Sequence, residues 1–151
     1  MTEPALEPTL AFLQRLWRLN HAIERLSMRM DRSLGVTTQQ RLLLRCIGRT
    51  PNATAGQLAK LLHVDPGTLS TGLPRLEQKG LVRRTRDLGD TRRWTLSLTE
   101  EGRALDRPTD GTLEDAVGAL LAEIDPENAV TLLSGIDRLT ELVDASEPRR
   151  S

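Results

Sequence analysis

Residues 83–99 read RRTRDLGDTRRWTLSLT. Two segments with strand character, residues 81–86 and 93–98, flank a six-residue loop with the sequence DLGDTR, and this arrangement is typical of a β-hairpin. A two-stranded hairpin is marginally stable by itself, so it must pack against another element of the fold. The stretch therefore predicts a small hairpin that leans on helices.

The same hairpin carries a high concentration of positive charge. Five arginines lie on it, with two aspartates at its tip; the arginines are Arg83, Arg84, Arg86, Arg92 and Arg93. Like charges that face each other across strands destabilise a hairpin. We therefore interpret the arginines as a binding feature rather than a stabilising one.

Charge is distributed unevenly along the chain, although the formal net charge is zero. Residues 75–93 contain seven basic and three acidic side chains, a net charge of +4. Residues 100–147 contain three basic and thirteen acidic side chains, a net charge of −10. Such asymmetry directs a polyanion to one face of a protein, so the pattern favours nucleic acid as a partner.

Capping signals mark the starts of the helices. Thr37 and Thr54 each precede a Gln by three residues, which is the capping-box pattern. Asp65 and Asp125 each precede a proline, which places a capping carboxylate before the first turn, and Thr99 predicts one more cap. Apolar periodicity predicts helices over residues 9–34, 38–49, 56–62, 66–79, 100–106, 113–124 and about 126–145.

This order predicts a mainly α fold with a small two-stranded β wing. We expect one domain over residues 1–151, in which residues 37–99 form a winged helix-turn-helix lobe. The helical segments from both termini, residues 9–34 and 100–145, carry more apolar surface than one small lobe can cover. They are expected to form a dimerisation region, with packing on their own lobe as the alternative.

The helix-turn-helix lies within residues 55–80. Leu58, Leu61 and Leu62 are expected to face inward from its first helix, with Val64 in the turn and Leu69, Leu73 and Leu76 as the inward stripe of its second helix. The opposite face of the second helix is small, hydroxylic or cationic, which suits phosphates and base edges in a major groove. It consists of Gly67, Thr68, Ser70, Thr71, Pro74, Arg75 and Gln78. The alternative is an ordinary solvent-exposed helix face.

The loop of the hairpin is expected to enter a minor groove while the strand arginines reach phosphates. A narrow minor groove has a strongly negative potential that favours an inserted arginine. Asp90 lies two residues before Arg92, and a bidentate contact would preset the guanidinium. The alternative is an exposed ion pair worth about 0–1 kcal/mol.

Residues 90–99, DTRRWTLSLT, match the D-x-R-x-x-x-L-x-L-T signature of the MarR family of transcriptional regulators, and Glu100-Glu101-Gly102 continue it. Residues 63–82, HVDPGTLSTGLPRLEQKGLV, resemble that family's recognition helix and its exit into the wing. The likeness extends over roughly residues 9–145. It implies a homodimer with interlocking terminal helices, in which Arg92 corresponds to the minor-groove arginine and Asp90 to its aspartate.

The resemblance implies a sequence-specific regulator of transcription that binds double-stranded DNA. We expect a cytoplasmic, ligand-responsive repressor that acts as a homodimer on a pseudo-palindromic operator. The residues expected to contact DNA are Thr68, Ser70, Thr71, Arg75, Arg84, Arg86, Asp90, Arg92 and Arg93. The alternative is a winged-helix protein–protein interaction module without DNA binding, which would present an apolar recognition face.

Similarity to the family also implies a small phenolic or carboxylic effector. Trp17 and His21 lie one turn apart on the first predicted helix and are the candidate ligand contacts; an interface tryptophan and a surface histidine are the alternative. Cys46 lies in a stripe with Leu42, Leu43 and Ile47, which indicates a core residue.

An enzyme is not expected. Cys46, His21 and His63 have no partners at catalytic or metal-ligand spacing, so no cofactor and no metal are expected. No apolar run approaches about 18 residues, so no membrane partner is expected. The single cysteine fits a reducing cytoplasm.

Pro74 departs from the pattern of a regular recognition helix. It removes the hydrogen bond to the Ser70 carbonyl, and the helix is expected to kink there or to offer the ring to a thymine methyl group.

Overall fold

The computed structural model describes residues 6–146. The fold is mainly helical with one two-stranded antiparallel sheet, as predicted. The elements in chain order are α1 (Pro8–Leu34), α2 (Thr38–Arg49), α3 (Ala55–Leu62), α4 (Pro66–Gln78), β1 (Val82–Arg86), β2 (Trp94–Leu98), α5 (Glu100–Leu105), α6 (Leu113–Glu123) and α7 (Pro126–Ala145). Within the described range, no helix is both long and apolar enough to cross a bilayer.

The predicted caps are confirmed. Thr37 and Thr54 both form complete capping boxes with the Gln three residues on, and Asp65, Thr99 and Asp125 accept hydrogen bonds from the first turns of α4, α5 and α7. These side chains satisfy amide groups that a helix start otherwise leaves without partners. The element boundaries consequently agree with the predicted ones to within about two residues.

The core of the lobe lies between α2, α3, α4 and the hairpin. The predicted leucine stripe of α4, Leu69, Leu73 and Leu76, is buried in it, together with Leu58 of α3. The hairpin and the residue before it contribute four side chains to the core: Leu81, Val82, Leu96 and Leu98. The hairpin is thus packed on α2 and α4, as its small size requires.

Two predicted inward positions are wrong. Leu61 is 51% exposed and Leu42 is 55% exposed. The buried face of α3 is formed by Leu58 and Ala59. Because successive residues of a helix are rotated by about 100°, Leu61 falls at the edge of that face. Leu42 is likewise on the far side of α2 from the buried Leu43, Leu44 and Ile47.

The wing pairs β1 with β2 in an antiparallel register that runs from Val82↔Leu98 to Arg86↔Trp94. Gly80 ends α4 in the left-handed region, with φ of 71°, a conformation that glycine adopts without a steric cost. The backbone N–H of Thr99 donates to the Leu81 carbonyl at 3.0 Å. The base of the wing is therefore attached to the segment that follows α4 and to the start of α5.

Pro74 lies inside α4, which is continuous from Pro66 to Gln78. Its neighbours Leu73 and Leu76 are buried, so the packing of the apolar stripe is kept on both sides of the proline. The ring itself is half-buried rather than fully outward.

One buried cation joins α2 to the segment after α5. Arg41 is 1% exposed, and its guanidinium donates to the carbonyl oxygens of Leu105 at 2.9 Å and Arg107 at 2.6 Å. Arg45, one turn on, forms an ion pair with Asp106 at 2.6 Å. Carbonyl groups at a helix C-terminus carry partial negative charge that stabilises such cations.

The chain divides into two compact units between Leu113 and Glu114. In the first unit, α1 exposes Leu10, Phe12, Leu13, Leu16, Trp17 and Leu19. In the second, neither α6 nor α7 contains a buried residue, and their exposed apolar side chains include Leu120, Leu121, Leu133, Ile136 and Val143. Both units therefore present apolar helix faces that are not covered within their own fold.

The close approach of α5 to the wing base gives a stability prediction. A Cβ at Gly102 would overlap the carbonyl oxygen of Leu81, which is backbone and cannot rotate away. We expect Gly102→Ala to lower the free energy of unfolding by roughly 1–3 kcal/mol.

Gly118→Ala in α6 is the matched control, because no atom lies within 4 Å of its added Cβ. It should leave stability unchanged or raise it by about 0.5–1 kcal/mol, since alanine favours a helix interior. Urea denaturation followed by circular dichroism measures both variants, and equal stability of the two would contradict the close packing.

Candidate nucleic-acid interface

The outward face of α4 is polar and open to solvent. Thr68, Ser70, Thr71 and Arg75 are all exposed, because the buried stripe of Leu69, Leu73 and Leu76 fixes the rotation of the helix. The Asp65 carboxylate accepts a hydrogen bond from the Gly67 N–H at 2.7 Å and so fixes the start of the helix. The structure thus brings together on one surface the four α4 residues predicted to form a site.

The hydroxyl groups on this face differ in their partners. The Ser70 Oγ donates to the Gly67 carbonyl, so its oxygen stays available as an acceptor. Thr68, Thr71 and Arg75 border a cavity of about 260 Å³ that α4 shares with the start of α2. These side chains can donate to and accept from phosphates and base edges.

The wing arginines are all exposed but fall into two groups. Arg84 Nε forms an ion pair with Glu77 Oε1 of α4 at 2.7 Å, and the Arg86 guanidinium lies over the Trp94 ring, 4.7 Å from its centroid. Arg83 and Arg93 form no ion pair with any described residue, so both guanidinium groups are free to meet an anion.

The wing tip presents Arg92 outward. Its side chain is 91% exposed, and both its backbone N–H and its Nε approach the same oxygen, Oδ1 of Asp90, at 3.1 and 3.4 Å. The prediction of a bidentate Asp90–Arg92 pair is therefore wrong, because the short Asp90 side chain is already turned toward the backbone of the loop. A second aspartate, Asp87, accepts from the Gly89 N–H at 2.8 Å, and the turn is held by its own amides.

The sequence did not show that two further residues, Lys79 and Trp94, hold the elements of this surface in place. Lys79 Nζ donates to the Gly35 carbonyl at 2.7 Å, to Gln40 Oε1 at 2.8 Å and to Asp31 Oδ1 at 3.2 Å, so one ammonium joins α1, α2 and the end of α4. Trp94 supplies the ring under Arg86. The pairing of Arg86 with Trp94 across the hairpin was the sequence signal that could have predicted the contact between these two side chains.

Trp17 and His21 lie on α1, away from α4 and the wing. Their rings meet edge to face with centroids 5.0 Å apart, and His21 Nδ1 lies 3.1 Å from the Glu24 carboxylate. An open cavity of about 540 Å³ adjoins them and is also bordered by Arg15, Arg18 and Arg25. The surroundings are thus partly aromatic and partly cationic.

Cys46 is half-buried and packs against the lobe core, so it lies at the edge of the core and the core interpretation holds only in part. Burial raises the pKa of its thiol, so the thiolate is scarce at neutral pH. Among the residues that the structure describes, no group of three or more His, Cys, Asp and Glu side chains is placed to hold a metal ion.

Comparison with known proteins places this geometry in a family. A sequence model of the MarR family matches residues 36–94. The organic hydroperoxide resistance transcriptional regulator of Bacillus subtilis is 38% identical over 72 residues, 48% of this chain and 49% of the relative. The HTH-type transcriptional repressor Rv2887 of Mycobacterium tuberculosis is 30% identical over 91 residues, 60% of this chain and 66% of the relative. The match thus spans half to about two thirds of these relatives.

The fold likeness extends further along the chain than the sequence likeness. The structure of the Staphylococcus aureus MepR–DNA complex superposes with a TM-score of 0.70 at 22% identity, over 91% of this chain and 99% of that one. The winged-helix fold is therefore shared at nearly full length.

The Lys79 contacts generate a prediction about the end of α4. Lys79→Met removes three hydrogen bonds of one half-exposed ammonium, and we expect a loss of about 1–2 kcal/mol in the free energy of unfolding. Lys60→Met on α3 is the matched control, because Lys60 is exposed, and it should change stability by less than about 0.5 kcal/mol. Thermal melts measure the stability of both variants. Equal melting temperatures would mean that Lys79 does not hold the helix ends together.

Proposed function

We propose that this chain, which belongs to the MarR family, regulates transcription by binding double-stranded DNA as a homodimer. One observation carries the proposal: the hydroxylic and cationic face of α4 is exposed beside a basic wing whose tip projects an arginine that is 91% exposed. A helix of this kind fits a major groove, and a projecting arginine fits the adjacent minor groove.

Each predicted contact has a role in the proposed complex. Thr68, Ser70, Thr71 and Arg75 of α4 meet base edges and nearby phosphates. Arg84 and Arg93 neutralise phosphates beside the groove, while Arg92 enters the minor groove. Asp90 turns the Arg92 backbone through the 3.1 Å contact with its N–H. Arg86 is also among the predicted DNA contacts, but its guanidinium is engaged by the Trp94 ring and the Thr91 carbonyl.

The names of similar proteins support the proposal. The Bacillus subtilis relative is named a transcriptional regulator and the mycobacterial one a transcriptional repressor. MepR, which shares the fold, has been crystallised with DNA. We infer repression as the direction of control from the mycobacterial relative.

The proposed dimer follows from the uncovered apolar helix faces. Exposed leucines and aromatic residues on α1, and exposed Leu, Val and Ile side chains on α6 and α7, would form large apolar patches on a monomer, and such patches mark association surfaces. A two-fold dimer would place two lobes on half-sites about 10 base pairs apart. The net charge of −10 on residues 100–147 would repel DNA and keep that end turned away from it.

An effector is proposed at the α1 cavity. Trp17 and His21 offer ring faces, and Arg15, Arg18 and Arg25 border the same cavity, so a small phenolic or carboxylic compound matches the chemistry of its walls. Binding there would shift α1 and, through the Lys79 contacts, the end of α4.

The alternative function, a protein–protein interaction module without DNA binding, is less favoured. Such a module would need an apolar recognition surface, whereas the exposed face of α4 consists of small hydroxylic and cationic side chains. An interaction module would also show little dependence on salt, while phosphate neutralisation makes DNA affinity fall steeply as salt rises.

Arg92→Ala tests the proposal. With a duplex obtained by selection from random DNA on the wild-type protein, the variant should bind roughly ten times more weakly, because it loses a minor-groove arginine. Arg29→Ala, the same substitution at an exposed position of α1, should leave affinity unchanged. Fluorescence anisotropy titration measures both. Equal affinity of Arg92→Ala and wild type would remove the minor-groove role, and a wild type that selects no duplex would refute the proposed function.

A further inference from the structure

The Arg86 side chain is turned onto the wing itself. Arg86 and Trp94 are direct partners across the strands and form the last pair of the ladder before the loop. The guanidinium carbon lies 4.7 Å from the centroid of the indole ring, a distance typical of a cation–π contact. Arg86 is therefore held on the wing before any partner arrives.

The same guanidinium also reaches the loop. Arg86 Nη1 donates to the carbonyl oxygen of Thr91 at 2.5 Å, and Thr91 directly precedes Arg92. The N–H of that same peptide group, which belongs to Arg92, donates to Asp90 Oδ1 at 3.1 Å. Both polar atoms of the peptide between Thr91 and Arg92 are thus engaged, one by Arg86 and one by Asp90.

A peptide group held at both ends has a fixed plane, because it is rigid and planar. The plane between Thr91 and Arg92 sets the direction in which the Arg92 side chain leaves the backbone. The chain of contacts runs from the Trp94 ring to the Arg86 guanidinium, then to the Thr91 carbonyl and on to the direction of Arg92. The Arg92 side chain meanwhile stays exposed and keeps only a long contact to Asp90.

We propose that Arg86 and Trp94 are positioning residues that preset Arg92 for insertion into a narrow, A·T-rich minor groove, and that Arg86 is not a phosphate contact. This inference rests on the proposed function. Ordering a loop and a long side chain at an interface weakens binding, and ordering them beforehand removes that penalty. Arg92 therefore discriminates minor grooves only when the Trp94–Arg86 pair is intact.

Arg83 differs from Arg86 in its partners. Arg83 lies on the same strand, is also exposed, and has no ion-pair partner among the described residues. It is free to neutralise a phosphate, whereas Arg86 is engaged by a ring and a carbonyl. Loss of Arg83 should thus change how affinity depends on salt, and loss of Arg86 should change which minor groove is preferred.

The experiment uses the full chain and a duplex selected from random DNA on the wild-type protein. A second version of the duplex carries 2,6-diaminopurine in place of adenine, which adds an amino group in the minor groove and leaves the major-groove pattern of an A·T pair intact. Affinities for the two duplexes are measured over a series of salt concentrations. Their ratio reports minor-groove discrimination, and the slope of log affinity against log salt reports phosphate contacts.

Wild type should bind the diaminopurine duplex more weakly. Arg86→Gln and Trp94→Leu should lose much of this discrimination and bind the unmodified duplex about two- to fivefold more weakly, the size of an exposed cation–π contact, with the wild-type salt slope. Trp94→Phe keeps an aromatic face and should restore the discrimination. Arg83→Gln should keep the discrimination and lower the slope by about 0.9 per lost phosphate contact.

A readout without DNA checks the contact itself. In the free protein, the ring current of Trp94 should shift the side-chain NMR signals of Arg86, and Trp94→Leu should abolish that shift while the melting temperature stays near that of wild type. Unshifted Arg86 signals would overturn the inference.

The inference and the proposed function fail in different ways. If Arg86→Gln behaves as Arg83→Gln is expected to behave, with a lower salt slope and full discrimination, Arg86 is a phosphate contact and the positioning role is overturned while DNA binding stands. If wild type shows no salt-dependent binding to any duplex, the proposed function is refuted and the positioning role is overturned with it.

Discussion

The burial of one leucine stripe determines which side chains this protein presents to a partner. Leu69, Leu73 and Leu76 of α4 are all buried, and each fully buried leucine contributes about 1.5–3 kcal/mol relative to an exposed one. At Gly72 the helix approaches α2 so closely that an added Cβ would lie 2.6 Å from Leu43 Cδ1. Rotation of α4 would expose the stripe and bury hydroxyl and guanidinium groups, so the polar face is fixed outward.

The wing shares this constraint, because its buried side chains enter the same core. Leu81, Val82, Leu96 and Leu98 pack with the α4 stripe, and the Arg84–Glu77 pair joins β1 to α4 at the surface. The helix face and the wing tip are therefore parts of one packed lobe. A duplex that meets one of them meets the other at a fixed spacing, which is what sequence-specific binding through two grooves requires.

The helices and strands were predictable because the sequence signals for them are local. Capping residues and the apolar periodicity of α4 act within a few neighbouring residues, and the elements they predict are observed. Leu61 and Leu42 were misassigned because an apolar residue on the rim of a short helix looks the same in sequence as one on its inward arc. The family signature at residues 90–99 identified the wing, but not how its side chains are held.

The contacts that were missed join residues distant in sequence or depend on side-chain reach. Lys79 meets the Gly35 carbonyl and Gln40 only because α1, α2 and α4 converge. Asp90 contacts Arg92 through one oxygen because the turn places its carboxylate beside the backbone N–H. Neither arrangement follows from residue type and spacing, since the first needs the positions of three helices and the second needs the conformation of the turn.

Hydrogen exchange of the full chain, with and without a duplex selected on it, tests the central claim most directly. The account predicts slower amide exchange on DNA binding over residues 66–78 of α4 and residues 87–93 of the wing loop, with α3 little changed. Protection confined to α3 or to the terminal helices, with residues 66–78 and 87–93 unaffected, would contradict it.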